Sequence, residues 1–367
     1  MSAITIENDL VHYEALGRGR PVILVHGWLG SWRYWVPTMQ HLSGKYRAYA
    51  LDLWGFGDSG KDINKYAVKD QVHMLFKFFE GMGIRKAVLV GHSLGAAVCL
   101  NFARQYPEFT HRLFLISPPL VDMGGLGDDL PPRPAALPPK PAEPRPSAPP
   151  PTSVTYSSTS ETLPSNPFRA AQQAQTPPPP SSTALPAPSA PTPPPESRPV
   201  PPVLPLSIAT VPTPSPAEPP SQGFAPILAT LTTNKPAALL ARYIARDLPD
   251  LEMLRTEVAK ADEQAFARTA QSLSAQNLAL ELKRLMTPTL LLHGEDDTLL
   301  PPPSETLVQR INRGKQSGYF LPLIEPTVGH FPMLEITAKF NRLLLDFLEA
   351  PDLTNVQFKD QWKRTIR

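Results

Sequence analysis

The chain has 367 residues, 35 basic against 33 acidic side chains, and one cysteine. Near-neutral charge gives no reason to invoke nucleic acid, and a lone Cys99 excludes an internal disulfide framework. No apolar run approaches the 18 residues of a membrane span. The start, MSAITIEND, lacks the basic and apolar regions of a signal peptide, so a cytoplasmic location is expected.

Taken in chain order, Ile4–Glu7 and Leu10–Ala15 form a short opening pair of strands. Val22-Ile23-Leu24-Val25 is a buried strand, and Arg47–Leu51 is the next, followed by a helix near Val68–Met82. Lys86–Val90 is a short β-branched run that reads as another buried strand. It leads through Gly91-His92-Ser93-Leu94-Gly95 into a helix over Ala96–Arg104. Leu113–Ile116, Thr289–Leu292 and Ser317–Ile324 are further strands, and Pro332–Leu348 is a closing helix. Strands alternating with helices imply a mainly parallel, doubly wound sheet covered on both faces. In such a sheet functional groups collect at the carboxyl ends of the strands.

Thirty-two of the 48 prolines fall within Pro131–Ala225. Such a stretch lacks backbone donors and large apolar groups, so it cannot bury enough surface to offset its ordering entropy. Five segments follow: an α/β core over 1–123, a disordered proline-rich insert over 124–224, a small helical cap over 225–285, a second core part over 286–350, and a tail over 351–367. Within the cap, PAALLARYIARDL and LALELKRLM carry helical apolar spacing.

The glycines flanking Ser93 remove the Cβ atoms that would collide in a sharp strand-to-helix turn. A serine there stands exposed above the sheet as a nucleophile. It needs a base, and the base needs an orienting acid. His330 lies between the last strand and the last helix, and Asp297 directly follows the Thr289 strand. Singly, Asp297 reads equally as a turn former and His330 as a helix-start residue; together they supply the acid and base. Asp122, after the Leu113 strand, is another carboxylate at a strand end. Two backbone donors must face the developing oxyanion; Leu94 offers one N–H, and Trp28, just after His26-Gly27, offers the other. His26 and His92 read as structural rather than catalytic. Trp28, Trp32, Tyr34, Trp35, Trp54 and Phe56 cluster in the loops around this site; they either line an aromatic substrate pocket, with Trp32, Trp35, Trp54 and Phe56 as its candidate walls, or pack beneath the loops.

HGW at 26–28, DLWGFGDSG at 52–60, GHSLG at 91–95, GEDDTLLP at 294–301 and GHFPMLE at 329–335 together resemble the α/β-hydrolase-fold enzymes with a cap. The resemblance spans nearly all the chain outside the insert. It implies the order Ser93, Asp297, His330 for nucleophile, acid and base, with the acid three residues after the Gly294 position, which selects Asp297 over Asp296. The same resemblance makes Asp122 the rival acid. Asp52 and Ser59 would brace structure. Serine at the elbow departs from the branches that attack with a carboxylate, the haloalkane dehalogenases and epoxide hydrolases. Ala96 and the proline-rich insert are two further departures.

The expected function is a serine hydrolase acting on a small hydrophobic ester or related acyl substrate, without cofactor or metal. Two alternatives share the fold: a C–C bond hydrolase and a cofactor-free haloperoxidase-type enzyme. An alternative of another class is a ligand-binding scaffold whose P-x-x-P stretches recruit a protein partner.

Overall fold

The computed structural model describes residues 2–126, 223–244, 248 and 250–356. The disorder expected over 124–224 and the tail beyond 356 lie almost wholly outside them. Eight strands form one sheet in the order β1-β2-β4-β3-β5-β6-β7-β8. They are β1 (Ser2–Ile6), β2 (Asp9–Gly17), β3 (Arg20–Val25), β4 (Tyr46–Leu51), β5 (Ala87–His92), β6 (Thr110–Ile116), β7 (Thr289–Gly294) and β8 (Phe320–Glu325). β1 and β2 pair antiparallel, and β2 runs antiparallel to β4. From β4 to β8 every pairing is parallel.

Parallel strands covered on both faces have no solvent side, which is why β3, β5 and β7 read as continuous apolar runs. Val22–Val25 are all at 0% exposure, as are Leu290–Leu292. The core helices are α1 (Val36–Leu42), α2 (Val68–Met82) and α3 (Leu94–Gln105). Five more occupy the stretch expected to be a cap: α4 (Ala225–Thr233), α5 (Pro236–Tyr243), α6 (Leu251–Val258), α7 (Glu263–Ser274) and α8 (Leu278–Arg284). The last three are α9 (Glu305–Asn312), α10 (Pro332–Glu335) and α11 (Thr337–Glu349).

Three local expectations shift. The last strand starts at Phe320 rather than Ser317, because Gly318 sits at φ +80° in a turn. The closing helix is two helices, broken where Ile336 leaves helical geometry (φ −127°, ψ 45°). α3 begins two residues early, at Leu94, directly off the elbow.

The helices over 225–285 are tied to the loops at the carboxyl ends of β3 and β4. Trp28 Nε1 donates to Thr269 Oγ1 at 2.7 Å, Tyr66 O–H donates to Asp262 at 2.7 Å, and the Asp262 N–H donates to Gly55 O at 2.8 Å. Glu257, only 1% exposed, pairs with Arg33 at 2.8 Å and with Lys260 at 2.9 Å. Lys260 reaches back to Asp58 at 3.1 Å. The two flanks of the undescribed 127–222 segment meet: a Cβ on Gly223 would stand 3.2 Å from Asp122 O. Among the described residues, no helix is long and apolar enough to cross a membrane.

Candidate active site

β5 ends at His92 and α3 starts at Leu94, so the whole turn is made by Ser93. Its backbone sits at φ +55°, ψ −116°, a sparsely populated conformation that costs on the order of 1–3 kcal/mol and persists only when its surroundings impose it. The surroundings here are two close approaches. A Cβ on Gly91 would lie 2.4 Å from Gly95 O, and one on Gly95 would lie 2.3 Å from Val25 O. Both obstacles are backbone and cannot swing aside. Gly95→Ala is therefore expected to destabilise the fold by about 3 kcal/mol, measured by urea unfolding, by pushing α3 off β3. A Gly95→Ala protein as stable as wild type would show that the elbow is not held by this contact.

The turn brings three side chains together. His330 Nε2 is 3.1 Å from Ser93 Oγ, and His330 Nδ1 is 2.7 Å from Asp297 Oδ2. All three residues are buried. Asp297 Oδ1 accepts from the N–H groups of Leu299 and Leu300 at 3.1 and 2.9 Å, so the acid is oriented from both sides. Burial alone would raise its pKa, but His330 and His293 outweigh it and hold the carboxyl well below the usual carboxylate range. Asp297 is thus a fixed anion beside the imidazole. The rival Asp122 points elsewhere: it is exposed and pairs with Arg310 at 2.6 Å.

His330 is carried by a loop pinned at its backbone. Glu335 accepts from the N–H groups of Gly329 and Phe331 at 2.6 and 2.8 Å. A Cβ on Gly294 would meet Val328 O and Gly329 O, each at 2.2 Å, so the acid loop and the base loop touch.

The loop after β3 lies against Ser93 as well. A Cβ on Gly27 would stand 2.5 Å from the Ser93 Cβ. The neutral His26 ring accepts from Leu53 N–H at Nε2, 3.0 Å, and donates from Nδ1 to Gly27 O, 2.8 Å. Holding that carbonyl fixes the Gly27–Trp28 peptide plane, and in a trans peptide the Trp28 N–H points the opposite way. Leu94 is the first residue of α3, where an N–H has no intrahelical acceptor.

The aromatic side chains divide. Trp35 packs on Tyr34 and on Phe340 of α11, and Trp32 tilts against His12, so both belong to the scaffold. Phe56 lies between His26 and Phe266 of the cap, and Trp54 lies under Lys65. Asp52 accepts from the N–H groups of Trp32 and Asp58, and Ser59 Oγ donates to Asp52 O at 2.7 Å. His12, Asp52 and Asp58 bring ligand-type atoms within 4.8 Å. With Asp58 also facing Lys260 and Arg33, the group is a brace rather than a cation seat. A cavity of about 420 Å³ adjoins the acid loop, walled by Leu120, Ile227, Tyr243, Leu299, Leu300 and Leu307.

Tyr34, one of the aromatics clustered in the loops around the site, and Glu335, the last residue of the GHFPMLE stretch, have no individual role assigned from the sequence. Glu335 had one available signal, its place six residues after Gly329, at the last position of α10. Tyr34 had none.

Two buried imidazoles give the fold a pH signature. Burial first, and in His92 also the neighbouring His330, lowers the pKa of both His26 and His92 below the ordinary 6.5. The unfolded chain therefore takes up protons near pH 6.5 that the folded chain refuses. Stability is complete above that pH and falls below it, by about 1.4 kcal/mol per pH unit per ring. Thermal melts at pH 7.5 and 5 should show the loss, and equal melting temperatures would contradict it.

The fold is decided by comparison with known proteins. The chain matches the α/β-hydrolase-fold family over residues 20–179. A hydrolase from Pseudomonas aeruginosa PA01 superposes at TM-score 0.60 with 14% identity, covering 95% of this chain and 98% of that one. The chain has the α/β-hydrolase fold. An esterase from Exiguobacterium antarcticum superposes at TM-score 0.58 with 14% identity, covering 94% of this chain and 97% of that one. In sequence, a soluble epoxide hydrolase of Corynebacterium sp. (strain C12) is 31% identical over 116 residues, 31% of this chain and 41% of that protein. A 2-hydroxy-6-oxononadienedioate/2-hydroxy-6-oxononatrienedioate hydrolase of Comamonas testosteroni is 34% identical over 137 residues, 34% and 44% of the two chains. These matches span less than half the length of the curated relatives.

Proposed function

We propose that this α/β-hydrolase-fold chain is a serine hydrolase that cleaves uncharged carboxylic esters or related acyl compounds through an acyl-enzyme. The observation that carries the reading is the hydrogen-bond chain Ser93 Oγ–His330–Asp297, 3.1 and 2.7 Å long. In this reading Ser93 Oγ attacks the carbonyl carbon while His330 Nε2 takes its proton. The Trp28 and Leu94 N–H groups donate hydrogen bonds to the developing oxyanion. The carbon–oxygen bond to the leaving alcohol breaks as His330 returns the proton to it. Water, deprotonated by the same ring, then attacks the acyl-Ser93 ester and releases the acid. Asp297 holds the Nδ1 proton and balances the transient imidazolium.

The serine also argues against epoxide opening, although relatives carry that name. Attack of a hydroxyl on an epoxide carbon gives an ether, which has no carbonyl for water to attack, so turnover would stop after one event. The Comamonas relative is named for a substrate with two carboxylates. Arg33 and Lys260, the cationic side chains at the cap junction, are engaged with Glu257 and Asp58. This favours a neutral substrate over C–C cleavage of a dioate. The apolar walls beside the acid loop favour an acyl chain of some length. On p-nitrophenyl esters, kcat/KM is expected to rise from acetate to butyrate by about tenfold, since each buried methylene contributes about 0.8 kcal/mol. A panel from acetate to decanoate tests this. Inertness across the panel would overturn the ester reading.

A further inference from the structure

Tyr34 lies in the single turn of 3-10 helix Trp32–Trp35, outside every motif. Its hydroxyl is 2.8 Å from the Gly27 amide nitrogen and 2.9 Å from His92 Nδ1. His92 Nε2 is 2.8 Å from the carbonyl oxygen of His330. Tyr34, His92 and His330 are all buried.

The partners settle the direction of each bond. An amide N–H only donates, so the Tyr34 oxygen accepts from Gly27. A carbonyl only accepts, so His92 Nε2 carries the proton. The neutral ring then has a bare Nδ1, into which the Tyr34 O–H donates. Every polar atom is satisfied by one chain: Gly27 N–H to Tyr34 O–H to His92 to His330 C=O. Burial, and then the adjacent His330, keep the His92 ring neutral. Burial likewise keeps the Tyr34 phenol protonated. With both nitrogens engaged, His92 cannot compete for the Ser93 proton even though its ring centroid is 4.7 Å from that of His330.

We propose that Tyr34 and His92 are positioning residues, which act as a hydrogen-bonded strut across Ser93. One end holds the Gly27 peptide, next to the Trp28 donor, and the other holds the backbone of the base, His330. The strut fixes the spacing between oxyanion donor and base while the elbow turn passes between them. This inference rests on the serine-hydrolase reading. The competing account is packing alone, since the Tyr34 ring also meets Trp35, His92 and Phe331 edge-on at 5.0, 5.6 and 5.8 Å. Packing requires only a ring of the right size; the strut requires the oxygen and the nitrogens.

The test compares full-length Tyr34→Phe, His92→Gln and His92→Phe with wild type on the best ester of the panel. It is joined by ¹⁵N-histidine NMR of the wild type and Tyr34→Phe. Tyr34→Phe is expected to lower kcat about 10- to 100-fold, the scale of a 1 Å misplacement, with KM nearly unchanged. His92→Gln, which keeps an N–H near the Nε2 position, should retain more kcat than His92→Phe. Wild-type His92 should show a protonated Nε2 and a bare Nδ1 that accepts a hydrogen bond, and Tyr34→Phe should keep that tautomer while its Nδ1 resonance shifts to that of an unbonded nitrogen. Wild-type kcat in Tyr34→Phe, or His92→Phe matching or exceeding His92→Gln, would overturn the strut. If His92→Phe does not fold, Tyr34→Phe and the tautomer decide; a wild-type His92 with its proton on Nδ1 also overturns it. Full activity in Ser93→Ala would instead remove the serine-hydrolase reading, while the tautomer measurement would still stand as a test of the strut.

Discussion

Ser93→Ala is expected to abolish turnover on every ester, a fall of about 10⁶-fold in kcat on the scale seen when serine proteases lose their nucleophile. An alkyl fluorophosphonate should label wild type at Ser93 in a one-to-one ratio and leave Ser93→Ala unlabelled. The reasons are local. His330 Nε2 sits 3.1 Å from the hydroxyl, and Ser93 alone forms the turn between β5 and α3, at φ +55°. Alanine should leave the fold intact, because Gly91 and Gly95, not the Ser93 hydroxyl, permit the turn. Intact-protein mass spectrometry and peptide mapping give the answer. Stoichiometric labelling of another serine with Ser93 untouched would sink the assignment.

Asp297→Asn is expected to cut kcat by about 10⁴-fold with little change in KM, by analogy with the trypsin aspartate-to-asparagine case. The carboxylate only accepts at Oδ2, which forces the His330 proton onto Nδ1 and leaves Nε2 bare toward Ser93. An amide NH₂ in that place donates, which reverses the tautomer and turns the wrong nitrogen toward the nucleophile. The control is Asp122→Asn, whose carboxylate serves Arg310 and the Gly124 N–H and should leave kcat unchanged. Asp297→Asn near wild type with Asp122→Asn inactive would reverse the roles.

The sheet and the elbow are legible in the sequence for one reason: their determinants are local. A strand buried on both faces is a run of apolar residues, as at Val22–Val25. The elbow needs two glycines at fixed offsets from Ser93, and both offsets are met. Asp297 and His330 could be proposed because each lies in the short loop after a strand, three residues beyond β7 and five beyond β8. What stayed hidden depends on contacts distant in sequence. Tyr34 bonds His92 across 58 positions and Trp28 bonds Thr269 across 241; neither leaves any period or spacing. Trp32 and Trp35 carry the composition of a pocket wall, yet their partners are scaffold residues. The break at Ile336 is likewise silent, because the apolar spacing continues on either side of it.

The contact between Gly223 and Asp122 has a consequence for how this chain can vary in length. The two flanks of residues 127–222 are neighbours in space, so whatever connects them must only close a ring. For a flexible connection the entropy of that closure grows with the logarithm of its length, and each doubling costs about 0.6 kcal/mol. A body with several kcal/mol of stability barely registers such a difference. Insertions and deletions at this junction are therefore close to neutral for the folded α/β body. A folded module could be spliced between the same two flanks, provided its own termini lie close together.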